Sequence, residues 1–298
     1  MKSSTSTPTF RVGVIGAGRV GAVLAAALRD AGHRVVAAGG ESDASRHRIA
    51  ELLPGTRHAK PTAVARACDL LLLTVPDDML PNVVTMLSAS GAIREGQYVV
   101  HTSGRHGLEV LEPAAAAGAH VVAMHPAMTF TGTAMDLTRL TDCCFGITAP
   151  EGLRPVAEAL VVEMGAEPVW IEEDDRERYH AGLAHGANHL VTLVAQAMQV
   201  LGSAGVQEPG RVIAPLLHAA LDNALRLGDG ALTGPVARGD AGTVAAHLRQ
   251  LADDTPDIRA TYLALARATA ERALASGRMT ASTAEPLLDI LAAPKERP

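Results

Sequence analysis

The hexapeptide Gly16-Ala17-Gly18-Arg19-Val20-Gly21 constrains this chain more than any other segment. It follows a short apolar run, Phe10 to Ile15, that suits a buried parallel strand. It opens a segment, Val20 to Ala31, whose apolar residues recur at helical spacing, with Gly32 where a helix C-cap is expected. Strand, glycine turn and helix in that order leave few folds open. The first glycine permits a tight turn, the second lets a ligand approach the backbone, and the third lets the helix pack against the strand.

The pattern around this turn repeats. Val35 to Ala38 reads as the next strand, and Ile49 to Leu53 belongs to a second helix closed by Pro54-Gly55. Asp69 to Val75 is a plainly buried strand stopped by Pro76. Tyr98 to His101 and His120 to Met124 are two more, separated by a helix over Gly107 to Ala117. A strand at Cys144 to Thr148, a helix at Gly152 to Met164 and a strand at Glu167 to Ile171 continue the alternation. Alternating strands and helices imply βαβ units, hence a parallel sheet covered on both faces. The acidic stretch Glu172 to Asp175 marks the boundary: residues 10–171 form one domain and 172–298 a second. Beyond it nearly everything is helical, over Arg176–Ala204, Pro209–Gly228, Ala241–Asp254 and Pro256–Ser276. The expected fold class is therefore an α/β Rossmann domain, a parallel doubly wound sheet, followed by an all-α domain.

In such a domain the amides at the helix start face a pyrophosphate, and the helix dipole favours its negative charge. Gly16, Gly18, Arg19, Val20 and Gly21 are thus candidate dinucleotide-binding residues. A site for NAD usually places an acid at the end of the second strand, to bind the ribose hydroxyls. Here that end is Val36-Ala-Ala-Gly-Gly40, with no acid on it. Ser42, Ser45, Arg46 and Arg48 follow, hydroxyls and guanidinium groups suited to a 2′-phosphate, which points to NADP(H). The plainer reading is that they cap and solvate a helix start, and Glu41 or Asp43 could still reach a ribose. Thr74, Val75 and Pro76 end a central strand where the nicotinamide half is expected, as Thr102 and Ser103 end the next.

Composition excludes several classes. With 298 residues, 48% hydrophobic and 19% charged, the chain can bury two cores and has no compositional case for disorder. A formal charge of −6 argues against nucleic acid as partner, yet permits a small anionic substrate held by an arginine. Cys68, Cys143 and Cys144 form no disulfide framework, which suits a reducing, cytoplasmic setting. No membrane span is expected, because even the apolar run near Leu183–Leu201 carries His, Asn, Thr and Gln. Met1 to Thr9 reads as a frayed polar arm.

Candidates for chemistry cluster in three places. His125 stands at a strand's carboxyl end, ahead of Pro126 to Gly132, placed to donate a proton to a carbonyl or to orient substrate; the plainer alternative is a loop-shaping histidine. His180, Ala184 and Asn188 are spaced four apart and are expected to share a helix face amid small residues. His185 and His189, also four apart, lack the acid and third ligand of a zinc helix, so no metal is expected; His218 and His247 read as structural or solvent-facing. In Leu232 to Asp240, Arg238 could hold a carboxylate with Asp240 orienting it, or Asp240 could cap the following helix.

Taken together, Gly16–Gly21, His125–Gly132, Tyr179-His180 with Asn188, and Leu232–Asp240 resemble a bacterial group with a Rossmann-like domain followed by a helical domain of unassigned function. That group is similar to ketopantoate reductases, pyrroline-carboxylate reductases and β-hydroxyacid dehydrogenases. The resemblance implies hydride transfer from NADPH to a C=O or C=N bond and a homodimer formed through the helical domain. One branch looks like an alternative ketopantoate reductase serving pantothenate synthesis, so reduction of ketopantoate to pantoate is the leading expectation. An imine reductase of pyrroline-carboxylate type and a non-catalytic dinucleotide sensor are the alternatives. The sequence departs from the related enzymes in one respect. Their catalytic lysine stands four residues before a helix Asn, and if Asn188 is that Asn, the position holds Ala184. The only lysines are Lys2, Lys60 and Lys295. Protonation then falls to His180, His125, a hydroxyl such as Ser103 or Thr129, or water.

Overall fold

A computed structural model describes residues 9–251 and 256–292. Most of the arm Met1 to Thr9 and the expected helix end at Asp254 lie outside them. The chain divides into two compact units, residues 1–188 and 189–298.

The first unit is built on eight strands: β1 (Arg11–Ile15), β2 (Arg34–Gly39), β3 (Arg57–His58), β4 (Leu70–Leu73), β5 (Tyr98–His101), β6 (His120–Pro126), β7 (Cys144–Thr148) and β8 (Glu167–Trp170). They lie in the order β3-β2-β1-β4-β5-β6-β7-β8. The first six are parallel, as the alternation of apolar runs and helices requires. β7 runs antiparallel to β6, and β8 follows it in parallel, so the sheet is mostly parallel with one reversal that the alternation of strands and helices does not announce. The reversal has a local cause. After β6 the chain makes only the short helices Met135–Arg139 and Leu140–Asp142, and Gly132 packs beside Arg19 and Arg48 at the carboxyl edge of the sheet, so β7 starts from that edge and runs back. The strand order reverses between β1 and β4, and at such a switch point the carboxyl ends part to leave a crevice.

Both faces of the sheet are covered. On one, Val12, Val14, Leu70 and Leu72 pack with Leu24 and Leu28 of the helix Arg19–Asp30. On the other, Ile15, Leu71 and Leu73 pack with Val64, Val84 and Leu87. The strands show almost no alternation because both faces are dry.

The segment beyond Ile171 departs from the expected boundary. Arg176–Leu183 is a helix of the first unit, and the next turn, Ala184–Asn188, is π-helical before the helix His189–Ser203 resumes. The expected single helix over 176–204 is therefore interrupted. Hydrogen bonds from i to i+5 insert an extra residue, so the four-residue spacing no longer keeps Asn188 on the face of His180 and Ala184.

The second unit is helical: His189–Ser203, Pro209–Leu227, Ala241–Gln250, Pro256–Ala275 and Ala281–Leu291, with a single turn at Gly234–Ala237. The last of these helices, and the two-residue β3, carry no strong sequence pattern and were not expected. The small core of the unit gathers Val244, Leu248, Ala270 and Leu287. Among the described residues no helix is long and apolar enough to cross a membrane.

The fingerprint turn sets the tightest tolerance. A Cβ on Gly21 would collide with Thr74 Oγ1 and lie 2.6 Å from the Gly16 carbonyl oxygen. Gly21→Ala is expected to lower stability by about 1–3 kcal/mol through overpacking, read from the midpoint of urea unfolding. An unchanged midpoint would contradict this packing.

Candidate active site and cofactor groove

The glycine turn is held from three sides. Gly16 and Ala17 donate their amides to the Gly39 carbonyl, at 3.0 and 2.9 Å. Gly18 donates to the Gly16 carbonyl at 2.6 Å, closing the turn, and Gly16 itself sits at φ 91°, a conformation open mainly to glycine. Thr74 Oγ1 donates to the Gly16 carbonyl at 2.7 Å, tying the turn to the end of β4. No side chain caps the helix Arg19–Asp30 at Gly18, so the amides of its first turn are left for an outside acceptor.

A groove of about 430 Å³ runs along this edge. Gly16, Gly18 and Val20 form its floor at the turn. Gly40, Glu41 and Ser45 line it at the end of β2, and Thr74, Val75, Pro76 and Asp77 at the end of β4. Thr102 and Ser103 close it at the end of β5. Eight of the twelve expected cofactor residues therefore line one groove. Arg19, Gly21, Ser42 and Arg46 do not. Gly21 acts in packing, and Ser42 caps the helix Asp43–Leu52 by accepting from the Ser45 amide at 3.1 Å, as the plainer reading held. Arg46 pairs with Asp43 at 3.0 Å and donates to the Glu41 carbonyl at 2.7 Å, which brings its guanidinium to the groove's rim. Gly40, Glu41, Asp77 and Thr102 line the groove as well; a ribose contact from Glu41 and a strand-end position for Thr102 were both open in the sequence.

The loop after β6 folds back toward the turn. Buried Asp136 accepts from the amides of Thr131 and Gly132, at 2.8 and 2.7 Å, and from Thr131 Oγ1 at 3.0 Å. This fixes Gly132 at φ 81°, where a Cβ would lie 2.7 Å from Arg48 Nε and 3.1 Å from the Arg19 Cα.

Two histidines meet beside the groove. The rings of His125, on β6, and His180, on the helix Arg176–Leu183, stand edge to face with centroids 5.8 Å apart. Between them lies Gly104, next in sequence to Ser103: a Cβ there would be 2.5 Å from His180 Cδ2 and 3.0 Å from His125 Nε2. Only glycine leaves this slot open. The Tyr179 hydroxyl lies 3.0 Å from His125 Nδ1. Tyr179 in turn needs Gly146 of β7, where a Cβ would sit 2.6 Å from its ring. Tyr179 was known from the resemblance alone, Gly104 only as the residue after the strand end at Thr102-Ser103, and Gly146 carried no sequence signal. Asn188 is exposed in this unit, one π-turn away.

Burial controls the charges. His125 is pushed down to about 4, first by burial and then by the neighbouring His180 and Arg176. Fully buried His101, which accepts from the Ser103 amide at 3.1 Å and whose Nε2 lies 2.8 Å from the Gly107 carbonyl, is pushed down to about 3, again mainly by burial. Tyr179 is raised by burial, partly offset by Arg176. Among the described residues no group of three or more His, Cys, Asp or Glu side chains could hold a metal ion.

Arg238 and Asp240 lie in the second unit. Arg238 is exposed and makes no ion pair with Asp240. Asp240 caps the helix Ala241–Gln250, accepting from the Thr243 amide at 3.0 Å and its hydroxyl at 2.7 Å, which holds its carboxyl below the usual range. The capping role is therefore the one the geometry carries.

His125 and His101 have native values below the ordinary 6.5 or so. As pH falls from there, the unfolded chain takes up protons before the folded one, so stability present at neutral pH is lost toward pH 4. Each histidine is expected to contribute up to about 3 kcal/mol to that loss. Urea unfolding at several pH values checks this: His125→Asn should flatten the slope, and an unaltered slope would refute the assignment.

Comparison with known proteins agrees with this architecture. Residues 1–126 match the family model of a Rossmann-like domain, and residues 143–269 match a domain of unknown function, DUF2520. No curated protein matches the sequence. Among solved structures, a candidate NADP oxidoreductase from Bacteroides fragilis is similar with a TM-score of 0.76 and 23% identity, over 88% of this chain and 98% of that one. An imine reductase from Streptomyces aurantiacus has a TM-score of 0.65 and 18% identity, over 93% and 99%. A pyrroline carboxylate reductase from Plasmodium falciparum, with NADP bound, has 0.57 and 13%, over 91% and 100%. The chain thus matches a Rossmann-like model followed by a DUF2520 model, in keeping with the two-domain group its sequence resembles.

Proposed function

We propose that this protein is an NADP-dependent reductase of a small 2-oxo acid, with ketopantoate as the representative substrate. The observation that carries the reading is the convergence of His125 and His180 on the open slot at Gly104, next to a groove floored by the glycine turn. The groove fits the cofactor. Uncapped helix amides suit a pyrophosphate, and Ser45 with the Arg46 guanidinium at the rim suits a 2′-phosphate. The structural relatives include an NADP oxidoreductase candidate and an NADP-bound reductase.

When bound, NADPH supplies a hydride to the substrate carbon, the oxygen takes a proton, and alcohol and NADP⁺ result. The chain's own residues supply the proton and the fit. The Tyr179 hydroxyl, donating to His125 Nδ1, leaves the Nε2–H of a neutral imidazole directed at the slot. His125 stays neutral at pH 7, so it serves as a hydrogen-bond donor to the carbonyl, and His180 delivers the proton. With no lysine between Lys60 and Lys295, the histidines take the place of the lysine acid of related enzymes. Reduction of a cyclic imine is the second reading, favoured by the similarity to imine and pyrroline carboxylate reductases. Three free cysteines suit a reducing cytoplasm.

The protein acts as a homodimer through its helical unit. The helices His189–Ser203 and Pro209–Leu227 bury none of their residues, and Val191, Val212, Leu216 and Leu225 are 58–79% exposed. An apolar helix left uncovered calls for a partner face, and a second copy supplies one.

Steady-state NADPH oxidation tests the chemistry. His180→Ala is expected to lower kcat on the accepted substrate by at least about 100-fold. Normal turnover in this variant would overturn the role. Light scattering tests the assembly: the double variant Leu216→Glu, Leu225→Glu should halve the mass, and a monomeric wild type would contradict the dimer.

A further inference from the structure

Arg176 opens the helix Arg176–Leu183 and is wholly buried, at 0% exposure. Its guanidinium donates to the Ser103 carbonyl at 2.7 Å, to Thr148 Oγ1 at 3.0 Å and to the Gly146 carbonyl at 3.4 Å. Its Nε is buried with no acceptor. No carboxylate among the described residues forms an ion pair with it; Asp77 and Glu173 act only from a distance. A cation held by neutral oxygens alone bears a large desolvation cost, and an apolar side chain of similar volume would staple the helix to the sheet at lower cost. Its position gives the charge a use. Ser103, to which it is bonded, lines the groove, and the following residue, Gly104, forms the slot between His125 and His180.

We infer that Arg176 is a positioning and charge-setting residue, whose fixed positive charge behind Ser103 selects a substrate that gains negative charge as it reacts, an anionic 2-oxo acid, over a protonated imine. The inference deepens the reductase reading and rests on it. When a carbonyl carbon accepts hydride, its π electrons move to oxygen, and negative charge grows there until the proton arrives. A cation fixed in a dry environment stabilises that charge without reorganising. A protonated imine begins positive and becomes neutral, so the same charge opposes its binding. The other groups facing the slot do not cancel this field. His101 and His125 are neutral at pH 7, and His106 stands against the Asp77 carbonyl at 3.2 Å. Glu173 is held on the amides of Leu108 and Glu109, and Tyr179 is protonated. His180 is the proton donor itself. Asp77 is the acid that lines the groove nearby, and it lies on the far side of β5, at the end of β4. The charge of Arg176 also helps to keep His125 neutral.

The test compares Arg176→Met, which removes the charge, with Arg176→Lys, which keeps it. In the cofactor-free protein, NMR titration of His125 should move upward in Arg176→Met and stay low in Arg176→Lys. With NADPH, kcat/KM for ketopantoate should fall about 100-fold in Arg176→Met and largely recover in Arg176→Lys, while reduction of 2-methyl-1-pyrroline should not fall. An unmoved His125 titration, equal losses on both substrates, or a wild type that prefers the imine would overturn the inference and leave the reductase reading standing. Absence of turnover on either substrate would instead sink the reductase reading. Should Arg176→Met not fold, loss of the low His125 titration in a folded Arg176→Lys would count against the inference, and its retention would support it.

Discussion

The close approach of the first glycine turn to the end of β4 is the constraint on which the rest of the first unit depends. At Gly16 a Cβ would lie 2.7 Å from the Thr74 carbonyl carbon and 2.8 Å from the Val75 nitrogen, backbone that cannot move aside. The turn can therefore pass at the switch point between β1 and β4 only without a side chain. Thr74 Oγ1 then locks it through the Gly16 carbonyl. The start of the helix Arg19–Asp30 is thereby brought, uncapped, to the crevice where the strand order reverses. Backbone geometry makes the anion site, with no charged side chain required on the groove's floor.

The second half of the site has a different physical basis. It is built from the ends of β5, β6 and β7 and the helix Arg176–Leu183, held together by a buried guanidinium and a tyrosine in place of a tight turn. Two glycines, Gly104 and Gly146, give the histidines and Tyr179 room to meet. The antiparallel β7 matters here, because it brings Gly146 opposite His125 in register. Dry surroundings keep His125 neutral, and the site offers directed hydrogen bonds and one fixed charge, with no lysine between Lys60 and Lys295.

Much of this was legible in the sequence where the signal is local. Glycine spacing, apolar runs and the strand ends at Thr74 and Ser103 gave the groove, because each depends on residues a few positions apart. The reversal at β7 was not legible: a strand's direction depends on the path of the connection before it, and Cys144–Thr148 has the same apolar pattern either way. The π-turn at Ala184–Asn188 interrupts a helix without proline, so periodicity carried straight through it. Arg176 stands among charged residues, Asp174, Asp175, Glu177 and Arg178, and none of these neighbours marks it as buried. Only the partners Ser103 and Thr148, 73 and 28 residues away, show that it is buried. At Asp240 the local reading was available and the cap was the outcome.

Calorimetric titration of the purified protein with NADPH and with NADH tests the central claim most directly. The account expects one saturable site per chain for NADPH, with NADH weaker by about tenfold or more, the contribution of a 2′-phosphate worth ~1.4 kcal/mol. Binding of neither nucleotide would contradict it, since the glycine turn would then be a packing device with no dinucleotide to hold.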